Sequence, residues 1–517
     1  MSEERKAVVT LHKGVNAEEF MDNMTTTYGS DSIPNRKVTV YNEKPDSISN
    51  FDFVLTQAEA ETLKNDPRVR DVRWGTKAEN GIVPISNVLE SSRAYNRSTS
   101  NNNTDYNWAF PEVTSPTSRY GGSANLNHQH AYNLSGSGVD VVIQDSGVQP
   151  DHPEWLNIAG DTSRFNAIDW PSAAGLSGTY TQPTNHNRDI DGHGTHVAGT
   201  AAGRLYGWAK ESQIYSIKIL DDPGETYGIS ASFNLIRGWH NNKGNNRPTV
   251  VNMSWGYSGG YTNITSINYR GVSYAETSPN TAYGMIQQSF SATLGGYTFP
   301  VRVTSVESDM EDCLNDGIIL VAAAGNSNHK MDVVGGADYN NYFVSSLYGN
   351  RYYHRGGTPQ ALSSVVCVGS IDYAYNSGQE QQNSFSETGP RIDVWAPGGY
   401  IQSAMSSGAT LDTSSSTYPL NGSYKVRKLQ GTSMASPQVT GVLATLLEAR
   451  PNYSPADCLA WLQDQAANGR LYDPTTGIPS TDYVNYRALQ GAPNYYLQTP
   501  FVNQYAYQVS GGLSVSS

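Results

Sequence analysis

Hydrophobic and polar positions divide the 517-residue chain into a short opening segment and a long one with a different rhythm. Between Lys6 and Trp74 the apolar period switches between two and about 3.6, in the order β-α-β-β-α-β. Ala7 to Leu11 reads as a strand, and Asn16 with Glu19 forms a capping-box pattern opening a helix through Phe20 and Met24. Lys37 to Tyr41 and Phe51 to Leu55 read as strands. Thr56 with Glu59 opens a second helix through Ala60 and Leu63, which Asp66-Pro67 ends, and Val69, Val72 and Trp74 close the unit.

From residue 107 to residue 490 the apolar runs are continuous rather than alternating, as in strands buried on both faces of a parallel sheet. They fall at Val139 to Gln144, Ile214 to Ile219, Thr249 to Met253, Ile318 to Ala323 and Ser364 to Val368, with helical stretches between them. Two of those stretches, HVAGTAAG and MASPQVTGVLATLLEA, directly follow His193 and Ser433, and PNYSPADCLAWLQDQA reads as a further helix capped by Ser454. The predicted class is α/β with a mainly parallel central sheet, preceded by a small α+β domain over residues 1–76. Residues 77–106, whose Asn96 to Asp105 tract is rich in Asn, Ser and Thr, read as a polar linker. Residues 491–517, rich in Tyr, Gln, Gly and Ser, read as a C-terminal tail.

Composition narrows the function classes. The length calls for two units, one of them large. A formal charge of −13, with no basic stripe to displace counterions, argues against nucleic-acid binding. The three cysteines, Cys313, Cys367 and Cys458, sit in helix or strand patterns without zinc spacing and are expected to be buried free thiols. The opening MSEERK has no apolar h-region, so no Sec signal is read there. The apolar run Ile318 to Ala324 is too short to cross a bilayer. These features predict a soluble chain that does not engage a membrane, and its compartment is left unassigned.

Four segments carry candidate chemistry. The heptapeptide GTSMASP, Gly431 to Pro437, puts Ser433 at the start of a helix, where aligned N–H groups favour developing negative charge. HGTHVAGT places His193 at another helix start, VDVVIQDSGV delivers Asp145 from the end of a buried strand, and GIILVAAAGNS does the same for Asn326. Asp145, Ser254 and Asn326 all lie at carboxyl ends of strands, where active groups of parallel sheets collect. A serine hydroxyl needs a base to take its proton and donors to hold an oxyanion. Any one of these segments alone reads as an ordinary loop or turn, but all four together in one order do not.

In that order and wording the segments resemble the subtilisin-like serine proteases, the subtilases of peptidase family S8. The resemblance implies a subtilisin-like three-layer fold. It also implies an endopeptidase in which Ser433 attacks the scissile carbonyl, His193 is the base, Asp145 orients it and Asn326 donates to the oxyanion. By the same resemblance Ser254, Trp255 and Gly256 form the edge that pairs with an extended polypeptide substrate, and Ala323, Ala324 and Gly325 wall the S1 pocket. Trp255 stands where a smaller apolar residue is usual: either its ring narrows the cleft or it packs beneath the sheet edge. The reaction needs no cofactor. No metal ligands are assigned, and structural calcium, common in the family, finds no acidic cluster of specific spacing here.

Residues 1–76 resemble the inhibitor-type propeptide of the same family, most clearly in TQAEAETLKNDPRVRDVRW. A propeptide would lay its last strand in the cleft of its own protease, giving a self-processed or self-inhibited precursor; an unrelated ferredoxin-like accessory domain is the other reading. His193 and Ser433 are 240 positions apart. The excess length lies at Gly160 to Asn187, Tyr257 to Glu307, Ser327 to Gly357 and Ser406 to Tyr418, flanking the cleft segments. A competing function, a structural or assembly protein that keeps the fold and contributes to an oligomer or larger particle, fits the polar, Tyr-rich composition. The retained set of four reactive groups favours catalysis. Activity is expected to fall as pH drops through the base's ordinary pKa of about 6.5.

Overall fold

A computed structural model describes residues 4–12, 15–26, 31–34, 36–40, 50–74, 94–97, 104–115, 125–127, 130, 132–285, 290–291, 295–376, 378–474 and 487–500. The chain separates into two compact units, Met1–Ser86 and Asn87–Ser517.

In the first unit, β1 (Glu4–Leu11), β2 (Thr39–Val40), β3 (Asn50–Thr56) and β4 (Val69–Trp74) form one antiparallel sheet in the order β2-β3-β1-β4. Helices α1 (Ala17–Thr25) and α2 (Gln57–Leu63) connect them, which is the ferredoxin-like order read from the sequence. The caps behave as their chemistry dictates. Asn16 accepts from the Glu18 and Glu19 amides, and Thr56 with Glu59 completes a reciprocal capping box. Phe20, Phe51, Phe53, Leu55 and Leu63 are the buried centre of this unit.

In the second unit, the central sheet contains β5 (Asp140–Asp145), β6 (Phe165–Asn166), β7 (Gln213–Lys218), β8 (Thr249–Met253), β9 (Ile319–Ala323), β10 (Val366–Asn376), β11 (Val394–Pro397), β12 (Ala467–Asn468) and β13 (Tyr495–Tyr496). Their order is β12-β13-β11-β10-β9-β8-β5-β7-β6. From β13 to β6 the neighbours run parallel, β12 is antiparallel, and Gln379–Gln382 adds an antiparallel strand beside β10. Both faces of the sheet are covered, which is why its strands read as unbroken apolar runs. Val141 and Ile143 point into a core with helix α3 (His193–Ala202) and helix α6 (Thr432–Ala449). Val142 and Val251 point into the opposite core with α4 (Ile229–Asn242) and α5 (Thr304–Asn315). Helix α7 (Pro455–Gln465) starts at Ser454 with a full capping box.

Two insertions that the sequence treats as separate loops fold together. Ser258–Tyr261 pairs with Gly296–Pro300, and Ile264–Tyr269 pairs with Tyr342–Ser345, which turns back on Gly349–Tyr352. Tyr261, Ile267, Phe299, Phe343 and Tyr353 give this lobe a small core of its own.

The expected linker over 77–106 is also more structured, where described, than its polar composition suggests. Ala94–Asn96 and Asp105–Tyr106 pair as strands, and Arg97 is only 1% exposed. Its guanidinium bonds Glu380 at 2.9 and 3.1 Å and lies 3.2 Å from Glu112. Arg470 contacts the same two carboxylates. Arg97 also stacks over Trp108, with its guanidinium carbon 4.1 Å from the ring centre. Two buried cations therefore balance two buried anions. The tail beginning at Gly491 is part of the fold as far as it is described, since Tyr496 joins β11 and the Thr499 amide donates to Val113. The rest of the tail, 501–517, lies outside the described residues. All three cysteines are buried and free. Among the described residues no helix is long and apolar enough to cross a membrane.

Removing one member of a buried charge network strands its partners, at a cost of about 3–5 kcal/mol. Arg97→Ala is therefore expected to lower the stability of the large unit by that amount, read as a lower urea midpoint with an unchanged slope.

Candidate active site

The carboxyl ends of β5, β8 and β9 open on the same side of the sheet, and two helix starts, those of α3 and α6, meet them there. Asp145 is the last residue of β5 and is fully buried. His193 is the first residue of α3, its Nδ1 lying 2.8 Å from Asp145 Oδ1, which also accepts the Ser146 amide at 2.7 Å. This approach depends on Gly194: a Cβ there would stand 2.0 Å from the Gly147 carbonyl oxygen. Any side chain would push the helix start away from the aspartate turn. Asp189, which the sequence reading passed over, fastens the same loop. Its carboxylate accepts the Gly192 amide, the Thr195 amide and hydroxyl, and the Ser146 hydroxyl, all within 2.9 Å. The signal for it was local, an acidic residue three positions before a glycine helix cap.

Ser433 lies in the first turn of α6. Pro437, four residues on, has no N–H and leaves the Ser433 carbonyl without its helical partner. The Ser254 hydroxyl donates to that carbonyl at 3.0 Å, and the Asn252 amide donates to the Ser254 hydroxyl at 2.9 Å. Asn252 Oδ1 in turn accepts Ser436 and Thr440 hydroxyls one helical turn apart, at 2.9 and 3.0 Å. The Ser433 hydroxyl itself donates to the Ser254 carbonyl at 3.3 Å. In this resting arrangement its proton is turned to the sheet edge rather than to the imidazole; such bonds commonly realign when substrate binds.

Asn326 follows β9. Its Oδ1 accepts the Thr432 amide and hydroxyl, both at 2.9 Å, which ties Asn326 to the residue before Ser433. Beneath it lies a cavity of about 180 Å³ whose walls include Ser254, Trp255, Gly256, Ala323, Gly325 and Asn326. Ala324, by contrast, is wholly buried in the core under α6 and does not line it. Trp255 borders the cavity, but its indole belongs to the interior. Its Nε1 donates to the buried Gln144 side chain at 3.1 Å, its ring packs near Phe233, and it is 8% exposed. Thr298 and Pro300 of the inserted lobe, with Gln360, His329 and Glu387, complete the enclosure. Spacing gave no hint of these, since they come from four separate stretches of chain. A second cavity, of about 480 Å³, lies between residues 184–190 and 406–409, beside Gln149 and Pro150.

The charges around His193 act against its burial. Burial alone would push its pKa down, but the charge and hydrogen bond of Asp145, helped by Asp191 and Asp189, outweigh that and raise it to about 9. The imidazolium is thus favoured in the folded state. The stabilisation is complete below the unfolded value near 6.5 and is lost as pH rises through about 9. The protonation of His193 accordingly moves above the nominal 6.5 expected from the sequence. Among the described residues no group of three or more His, Cys, Asp or Glu could hold a metal ion.

The model of the subtilase family matches residues 136–490. Alkaline serine exoprotease A of Vibrio alginolyticus is 25% identical over 429 residues, covering 83% of this chain and 57% of that relative. The cuticle-degrading protease of Metarhizium anisopliae is 26% identical over 445 residues, 85% of this chain and 79% of the relative. Subtilisin of Bacillus pumilus is 28% identical over 342 residues, 65% and 86%. The match thus spans little more than half of the first of these relatives. Among solved structures, a cold-adapted subtilisin-like serine proteinase is 22% identical with a TM-score of 0.46, covering 76% of this chain and 97% of that one.

With Asp145→Asn the raising charge is removed while burial remains. The His193 pKa is then expected to fall from about 9 to below 6.5, read by NMR titration of the imidazole resonances.

Proposed function

The chain belongs to the subtilase family, and from that premise we propose that it is a serine endopeptidase acting through Asp145, His193 and Ser433. The observation that carries this reading is the 2.8 Å bond between His193 and Asp145 at the strand end, with the helix bearing Ser433 locked to the neighbouring strand. Ser433 Oγ attacks the carbonyl carbon of the scissile bond as His193 Nε2 takes its proton. Asp145 holds the Nδ1–H tautomer and stabilises the imidazolium that forms. Negative charge then gathers on the former carbonyl oxygen, where the Asn326 amide and the Ser433 backbone N–H donate. His193 returns its proton to the leaving amine, and water repeats the sequence on the acyl-enzyme. Ser254 to Gly256, continuing past the end of β8, serves as the edge along which an extended substrate pairs, and Ala323 and Gly325 face its P1 side chain.

The reading extends to residues 1–76 as an inhibitor-type propeptide, supported by their ferredoxin-like strand order. A cut that leaves the enzyme whole falls before residue 94, because Ala94–Asn96 pairs within the large unit and Arg97 is buried there.

A serine-directed fluorophosphonate is expected to modify Ser433 and no other serine, and Ser433→Ala to remove both the adduct and peptide hydrolysis. Absence of an adduct on folded protein would sink the reading. Asn326→Ala is expected to lower kcat about 10²–10³-fold with little change in KM, the magnitude known for such a donor in a subtilisin. Steady-state kinetics on one peptide substrate separate the two constants.

A further inference from the structure

The cavity beside Ser433 has an unusual floor. Glu387 lines it, yet is only 2% exposed, and it forms no ion pair among the described residues. A carboxyl group this deeply buried ordinarily has a cation beside it, because desolvation of the charge is otherwise uncompensated. Its bonds here are with the chain: the Glu387 amide donates to the Gly325 carbonyl at 3.0 Å, and its carboxyl accepts the backbone N–H groups of His329 and Ser327. The carboxyl lies directly against the Gly325 wall, since a Cβ on that glycine would stand 2.9 Å from Glu387 Oε1.

A second acceptor faces the same space. Gln360 is 4% exposed, and its side-chain oxygen has no hydrogen-bond partner. A Cβ on Gly256, in the opposite wall, would approach its amide to 3.4 Å. The nearby His329 cannot supply the missing positive charge. Burial pushes its pKa down to about 4, leaving the ring neutral. For the same reason the Glu387 carboxyl is held well above its ordinary range, and an entering cation would draw its proton off to solvent.

We propose that Glu387 and Gln360 make this pocket selective for a cationic P1 side chain, so that the enzyme cleaves after lysine or arginine. The inference rests on the endopeptidase reading above and adds its substrate class. An ammonium or guanidinium group brings only donors, which matches a floor offering a carboxylate and an amide oxygen. An acidic P1 residue brings no proton for the Gln360 oxygen and would hold Glu387 in its neutral form, and an aliphatic one would leave the Gln360 oxygen buried and unpaired. The chain's formal charge of −13 favours approach of basic substrates as well.

The test uses the full-length chain, in preparations that the fluorophosphonate labels at Ser433; failure to label speaks against the endopeptidase reading, not against this one. Peptides differing only at P1 are compared by kcat/KM. Arginine or lysine is expected to exceed leucine, phenylalanine and glutamine by at least 100-fold. Benzamidine, a small P1 cation mimic, is expected to inhibit competitively. In Glu387→Gln the ratio of arginine to leucine kcat/KM should fall at least tenfold and benzamidine inhibition should weaken by a similar factor. Equal rates for leucine and arginine, a preference for glutamine, or an unchanged ratio in Glu387→Gln would each overturn the proposal. Should that variant not fold, the P1 ranking and benzamidine inhibition of the unaltered chain decide the matter on their own.

Discussion

The side chain of Asn252 is the junction between the sheet and the helix that carries Ser433. It is buried on β8, and its two ends are both used: the oxygen takes hydroxyls from Ser436 and Thr440, and the nitrogen reaches Ser254, whose hydroxyl holds the Ser433 carbonyl. That last bond compensates for Pro437, which could not supply an N–H to Ser433. A proline one turn into a largely buried helix would ordinarily leave an orphaned carbonyl, and here the strand repairs it. Three residues on one helix face and one on a strand end are thereby fixed together. The place of Ser433 relative to β8, and hence to the cavity and to Asn326, follows from this network. Fully satisfied buried networks of this kind specify one arrangement rather than several.

A steric constraint does for His193 what the hydrogen-bond network does for Ser433. Gly194 lets the start of α3 come against the Gly147 carbonyl, and Asp189 gathers the loop amides around it. The helix start cannot rest anywhere else without losing several buried bonds. Asp145 then faces an imidazole held at a fixed distance, and its charge raises the His193 pKa despite burial.

This division explains what could be read from the chain alone. The strands over 139–144, 214–219, 249–253 and 318–323 were legible to within a residue or so, because burial on both faces leaves a continuous apolar run. That Asp145 and Asn326 lie at strand ends and His193 and Ser433 at helix starts was legible because each sits in a short segment whose small residues serve the same turn or helix start. The details that depend on partners far along the chain were not. Nothing near Arg97 announces Glu112, Glu380 and Arg470, so a buried ion looked like part of a polar linker. Trp255 turned inward because Gln144, on the neighbouring strand, offers its indole an acceptor. The insertions at 257–307 and 327–357 pair across a gap that periodicity does not cross.

The inserted lobe also bears on the shape of the pocket. Thr358 ties it down: its amide donates to Val301, its carbonyl accepts Tyr257, and its hydroxyl bridges the Val303 amide and Glu307, itself held by Arg302. Pro300, on the strand just before, forms the cavity wall, and Gln360, two residues past Thr358, forms its floor. The position of Gln360 is thus coupled to the lobe through one threonine, while Glu387 is coupled to the Gly325 loop through backbone bonds. Asp145, His193 and Ser433 stand on the central sheet and its helices, whereas part of the cavity's enclosure, Thr298 and Pro300 included, is supplied by the inserted lobe. Changes in the lobe can therefore alter what the pocket accepts without moving Asp145, His193 or Ser433, since no bond of the Asn252 or Asp189 networks passes through it. The contacts that place Ser433 and His193 and those that shape the rest of the cavity are separate sets that meet at the cavity.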